Sequence, residues 1–146
     1  MALMTSTYPP GREERGREKK RLLVIDDQVS LTKIVGTIAT EAGFDVKIVN
    51  DPHESLDAFL EFRPDILILD MVMPEKDGVD VLNELMLTGI DTQVILTSGF
   101  TEAYTRLAAS VAAFHDKGPV HVLRKPFRRD QLKALLREVT AETPSA

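Results

Sequence analysis

Asp65-Ile66-Leu67-Ile68-Leu69-Asp70-Met71-Val72-Met73-Pro74 is the stretch that decides the fold. Four consecutive large aliphatic residues run into a carboxylate, and a proline stands four positions beyond it. A short apolar run between turn signals reads as a strand buried on both faces, and such strands sit centrally in parallel sheets. Asp70 then falls at the carboxyl end of the strand, the rim where open α/β sheets gather ligands. What surrounds it must explain why an acid is held there.

Upstream, Leu22-Leu23-Val24-Ile25 is a second buried-strand run, ending at Asp26-Asp27. Leu31, Ile34, Val35, Ile38 and Ala39 keep helical spacing, and Gly43 supplies a stop. Phe44, Val46 and Ile48 alternate as a strand. Asp51, Pro52 and Glu54 have the form of a helix start at N-cap, N1 and N3. Arg63-Pro64 closes that helix.

Downstream, Val79, Leu82, Leu85 and Met86 predict a helix ending near Gly89. Val94-Ile95-Leu96 is a fourth strand, finishing at Thr97-Ser98-Gly99. A helix is expected from Thr101 to about Phe114, then a strand from Val120 to Leu123 followed by Lys125-Pro126-Phe127. Asp130 is placed as the cap of a last helix. Five strands alternating with five helices give a doubly wound parallel α/β sheet with helices on both faces.

A chain of 146 residues is by default one domain, long enough to bury a core without staples. The expected organisation is a flexible charged tail over residues 1–20, the domain over 21–140 and a short tail over 141–146. The absence of cysteine excludes disulfides and thiolate metal sites. No apolar run is long enough to span a membrane, and the N-terminus has no signal-peptide core, so a cytoplasmic protein is expected. A net charge of −5 argues against bulk nucleic-acid binding.

In such a sheet Asp26, Asp27, Asp70, Thr97 and Lys125 all stand at strand carboxyl ends and converge on one rim. Three carboxylates together resist ionisation unless a cation joins them. Mg²⁺ suits that donor set, completing its shell with water and phosphate. Lys125 adds a compact charge for phosphate oxygens, and Thr97 a hydroxyl. Each feature alone has an ordinary explanation as a turn or a cap. The signal is their joint placement, one to each strand end. His53 and His115 read as surface residues, and His121 as half-buried.

The chain resembles the receiver domain of bacterial response regulators from two-component and phosphorelay systems. The resemblance rests on Leu23-Val24-Ile25-Asp26-Asp27, Ile68-Leu69-Asp70 with Met73-Pro74 and Gly78, Val94-Ile95-Leu96-Thr97-Ser98, and Lys125-Pro126-Phe127. It covers about residues 21–139 and implies a flavodoxin-like fold with strand order 2-1-3-4-5. It also implies that Asp70 is the phosphoacceptor for a phosphohistidine on a sensor histidine kinase or histidine phosphotransfer protein. Asp27 and Asp70 would ligate Mg²⁺ (or Mn²⁺), with Asp26 acting mainly through water and the Val72 backbone carbonyl adding a ligand. Lys125 and Thr97 would contact the phosphoryl group, and the Lys125-Pro126 bond is expected to be cis.

Three departures stand out. The family often carries an aromatic residue where this chain has Val122. The Thr97–Lys125 segment is several residues longer than in a compact receiver, with the extra length expected around residues 113–119. Val72 and Gly99, two positions after Asp70 and Thr97, offer no group to hold an attacking water, so slow self-dephosphorylation is expected. The short flanks suggest a single-domain receiver, monomeric or weakly dimeric, that signals to a downstream protein by contact. The alternatives are a phosphorylation-independent scaffold and an Asp-nucleophile, metal-dependent phosphatase. Relatives of the haloacid dehalogenases would need a second acid where Val72 stands.

Overall fold

The computed structural model describes residues 19–99 and 120–142, with positions 106, 107, 110, 111 and 113 between them. Five parallel strands lie in the order β2-β1-β3-β4-β5. They are β1 (Arg21–Ile25), β2 (Asp45–Val49), β3 (Ile66–Asp70), β4 (Gln93–Ser98) and β5 (Val120–Arg124). The described helices are α1 (Val29–Glu41), α2 (Ser55–Phe62), α3 (Gly78–Met86) and α4 (Arg129–Glu142).

Alternation along the strands divides the interior in two. Leu23, Ile25, Leu67, Leu69, Val94 and Leu96 pack with Phe59, Leu82 and Leu85 from α2 and α3. Leu22, Val24, Ile66, Ile68, Ile95 and Leu123 pack on the opposite face with Ile38, Leu132, Leu136 and Val139 from α1 and α4. All five residues of β3 are buried, so the opening stretch is the central strand of both layers. Each large aliphatic side chain so enclosed contributes about 1.5–3 kcal/mol.

Local chemistry sets the element ends. Gly43 has φ 98°, a left-handed turn that releases α1 into β2. Asp51 accepts a hydrogen bond from the His53 backbone N–H at 3.0 Å, starting a 3-10 turn at Pro52 that runs into α2. Arg63 adopts φ 50° just before Pro64 and ends α2. Asp77 caps α3 by accepting from the Val79 N–H at 2.8 Å.

Two sequence expectations change. Asp130 does not cap the last helix but lies inside its first turn. The Arg128 carbonyl accepts the first helical bonds, while the Gln131 side chain accepts from the Arg128 N–H at 2.7 Å. Gln131 therefore supplies the reciprocal half of a capping box, and Asp130 pairs with the Arg128 guanidinium at 3.1 Å. The helix also runs to Glu142, two residues beyond the expected end at 140. Among positions 101–114, the five described ones are helical. The rest of that helix, residues 114–119 of the expected insertion, His115, and the tails 1–18 and 143–146 lie outside the described residues. No helix among the described residues is long and apolar enough to cross a membrane.

Candidate functional site

Parallel register brings the strand ends to one rim. Ile25 pairs with Leu69, Asp70 with Thr97, and Thr97 with Leu123. Asp26 and Lys125 are the first residues beyond β1 and β5. The main chain braces the rim further. Met71 N–H donates to the Thr97 carbonyl at 3.0 Å, Lys125 N–H to the Ser98 carbonyl at 3.1 Å, and Asp26 N–H to the Val49 carbonyl at 3.1 Å.

Asp26, Asp27 and Asp70 each present a carboxylate oxygen, all within 4.8 Å of one another. Asp26 and Asp70 are buried, whereas Asp27 is partly open to solvent. Lys125 Nζ reaches into this group, 2.9 Å from Asp26 Oδ2 and 3.3 Å from Asp70 Oδ2. Its third neighbour is Gln28 Oε1 at 3.5 Å. The Lys125-Pro126 peptide is cis. The Val72 N–H donates to Asp70 Oδ1 at 3.2 Å, and the Val72 side chain is itself exposed at the rim. Thr97 Oγ1 is buried and has no hydrogen-bond partner among the described residues.

Burial, followed by the negative charge of Asp26, raises the Asp70 pKa from 3.8 to about 6. The Val72 N–H and the Lys125 ammonium pull it back without cancelling the rise. The acid is thus crowded by like charge and only partly neutralised. Three hard oxygen donors in this spacing suit one divalent cation, Mg²⁺ or Mn²⁺, better than a soft metal. Asp26, Asp27, Asp70, Val72, Thr97 and Lys125 thus stand together at this rim, while His53 and His121 lie elsewhere. His53 is exposed, 3.6 Å from Glu75, and His121 is half-buried in β5.

Three supporting residues escaped sequence reasoning. The Gln28 N–H donates to Asp26 Oδ1 at 2.9 Å. Asn50 Nδ2 donates to the Asp26 carbonyl at 2.8 Å and to Thr32 Oγ1 at 2.9 Å. An Asn after a strand reads as an ordinary turn residue, so no signal in the sequence distinguishes Asn50. Asp27 and Asn50 share a cleft of about 220 Å³ with Asp51, Pro52, Pro74 and Glu75.

The family model described as response regulator receiver domain matches residues 22–137. Response regulator MprA of Mycobacterium avium (strain 104) is 31% identical over 123 residues, covering 84% of this chain and 52% of that protein. The chain thus spans about half the length of the curated relatives it matches. Among solved structures, a CheY-like receiver domain protein from Methanospirillum hungatei JF-1 superposes with a TM-score of 0.76 at 17% identity, covering 86% of this chain and 97% of its own. The receiver domain of Francisella response regulator 1452 gives 0.74 at 25% identity, covering 86% of this chain and 100% of its own.

Proposed function

The chain belongs to the response regulator receiver domain family of two-component signalling, and from that premise we propose that Asp70 is its phosphoacceptor. The donor is a phosphohistidine on a sensor histidine kinase or histidine phosphotransfer protein. An Asp70 oxygen bonds to phosphorus as the P–N bond breaks. The electron pair returns to an imidazole protonated at its other nitrogen, which leaves neutral. The observation that carries this reading is a buried carboxylate 3.3 Å from an ammonium and crowded by two further acids.

The roles of the remaining groups follow from their chemistry. Lys125 is shared between Asp26 and Asp70, so it can follow the negative charge from Asp70 onto the phosphoryl oxygens. The Thr97 hydroxyl has no partner among the described residues and can donate to the same oxygens. Asp27 would hold Mg²⁺ or Mn²⁺ directly, with Asp70 and the Val72 backbone carbonyl as further ligands and Asp26 acting through water. Bound there, the ion supplies charge neutralisation to the phosphoryl oxygens as they transfer. The added charge on Asp70 then signals to a downstream protein by contact. We read this as a cytoplasmic event requiring neither nucleic acid nor membrane, in a monomer or weak homodimer.

The test is to incubate the full chain with a small acyl phosphate and Mg²⁺ and measure its mass. One phosphoryl group per chain is expected, and chelating the metal should prevent its addition. Absence of any adduct, even with the cognate kinase, would leave a binding scaffold as the better reading. Continuous turnover of many phosphoesters would point to a phosphatase.

Stability of the phosphoryl group is a separate expectation. Val72 is exposed beside Asp70 and carries no polar group to hold a water. Val72→Asn should speed loss of phosphate on the order of tenfold by adding a carboxamide that positions water. An unchanged decay rate, followed by mass after removal of the donor, would refute this.

A further inference from the structure

Among the described residues Asn50 makes no hydrogen bond to the three carboxylates, yet its amide ties the turn that carries them to helix α1. One N–H goes to the Asp26 carbonyl at 2.8 Å and the other to Thr32 Oγ1 at 2.9 Å. Thr32, almost fully buried in α1, donates its own hydroxyl hydrogen bond to the Val29 carbonyl at 2.9 Å. The Asp26 carbonyl belongs to the peptide that joins Asp26 to Asp27. Swinging that peptide would move the Asp27 backbone and with it the direction of the Asp27 carboxylate.

The other holds on this turn grip Asp26 and Gln28, on either side of Asp27. The Asp26 N–H donates to Val49, and its carboxylate accepts from Gln28 and Lys125. Only Asn50, from the end of the neighbouring strand β2, pins the Asp26–Asp27 peptide from its carbonyl side among the described residues. The amide is chemically specific for the position. A carboxylate could not donate to a carbonyl and would add a fourth negative charge, and a hydroxyl has one proton for two acceptors. Asn50 and Asp27 also line the same cleft.

We propose that Asn50 is a positioning residue for the divalent cation, fixing the Asp26–Asp27 peptide so that the Asp27 carboxylate faces Asp70. This rests on the reading that Asp26, Asp27 and Asp70 hold such a cation. Groups behind metal ligands commonly govern affinity by 10–100-fold or so.

The experiment is a calorimetric titration of the full chain with Mg²⁺, alongside thermal unfolding. Asn50→Leu, close in volume but without donors, should weaken Mg²⁺ binding by about tenfold. Thr32→Val removes the other acceptor of the same amide and leaves the Asp26 carbonyl bond in place. It should lower the unfolding temperature while shifting Mg²⁺ affinity by less than about threefold. Wild-type affinity in Asn50→Leu, or an equal loss in Thr32→Val, overturns the proposal in favour of a purely structural network. Should the leucine variant fail to fold, Asn50→Ala is judged by the same criteria. Wild type that binds no Mg²⁺ would overturn this inference together with the cation reading. Wild type that binds while the Asn50 variants are unchanged overturns this inference alone.

Discussion

Asp70→Asn is expected to take up no stable phosphate and to be more stable than wild type near neutrality in the absence of metal. The first effect follows from removing the proposed nucleophile while keeping its shape. The second follows from the cost of keeping that carboxylate charged. Burial, then Asp26, raises the Asp70 pKa from 3.8 to about 6. The folded protein therefore holds this proton more tightly than the unfolded chain does. The associated stability is complete below about pH 4 and is lost as pH rises through about 6. At about 1.4 kcal/mol per tenfold change in proton affinity, the full shift corresponds to ~3 kcal/mol. Water and counter-ions at the rim reduce this to about 1–2 kcal/mol. Unfolding of both proteins across this pH range in chelator should show wild type falling behind between about pH 4 and 6. Parallel pH profiles would sink the electrostatic account, and phosphate on the Asn variant would sink the assignment of the acceptor.

Gly78→Ala should produce the largest loss of stability among changes outside the core side chains. A Cβ at Gly78 would lie 2.5 Å from both Cα and O of Met71, and 2.7 Å from its carbonyl carbon. These are backbone atoms at the exit of the central strand, so no side chain can rotate away. The Gly78 N–H also donates to that Met71 carbonyl at 3.2 Å. The expected cost is about 3 kcal/mol or more, roughly 10 °C in melting temperature. Gly43→Ala is the control. It meets nothing within 4 Å and is strained only through its φ of 98°, so about 1 kcal/mol is expected. Equal melting shifts in the two variants would show that the turn after β3 yields easily. If it holds, phosphorylation should also slow in Gly78→Ala, because Val72 is carried by the displaced segment.

How much of this was legible in the sequence depends on the range of the interactions. The strand order and the meeting of Asp26, Asp27, Asp70, Thr97 and Lys125 follow from periodicity and the common direction of parallel strands. Those rules need only local pattern and one handedness. Asp51 at the start of its helix was readable for the same reason, since its acceptor and donor are two residues apart. Asp130 misled because an Asp beside helix-forming residues looks like a cap, while the terminus was set by Arg128 and the Gln131 side chain. The Asn50–Asp26–Thr32 network was invisible because it joins residues 18 and 24 positions apart through side-chain geometry alone. The Asp65 carboxylate, which accepts from the Arg21 N–H at 2.9 Å across the sheet, was missed for a similar reason.

The uneven enclosure of the strands gives the domain a gradient of stiffness. β3 is buried along its whole length, while β5 at the sheet edge buries only Leu123. Amides in the first can open only when much of the molecule opens, and those in the second through local fluctuation. Asp70 is thus anchored in the most rigid part of the sheet, and Lys125 is tethered to one of its softest strands. On the proposed reading, a new charge on Asp70 would do little to deform its own support and would act on the compliant margin, where Val122 faces solvent. The domain is built like a fixed post with a sprung arm, and under that proposal the arm is what a partner would feel move.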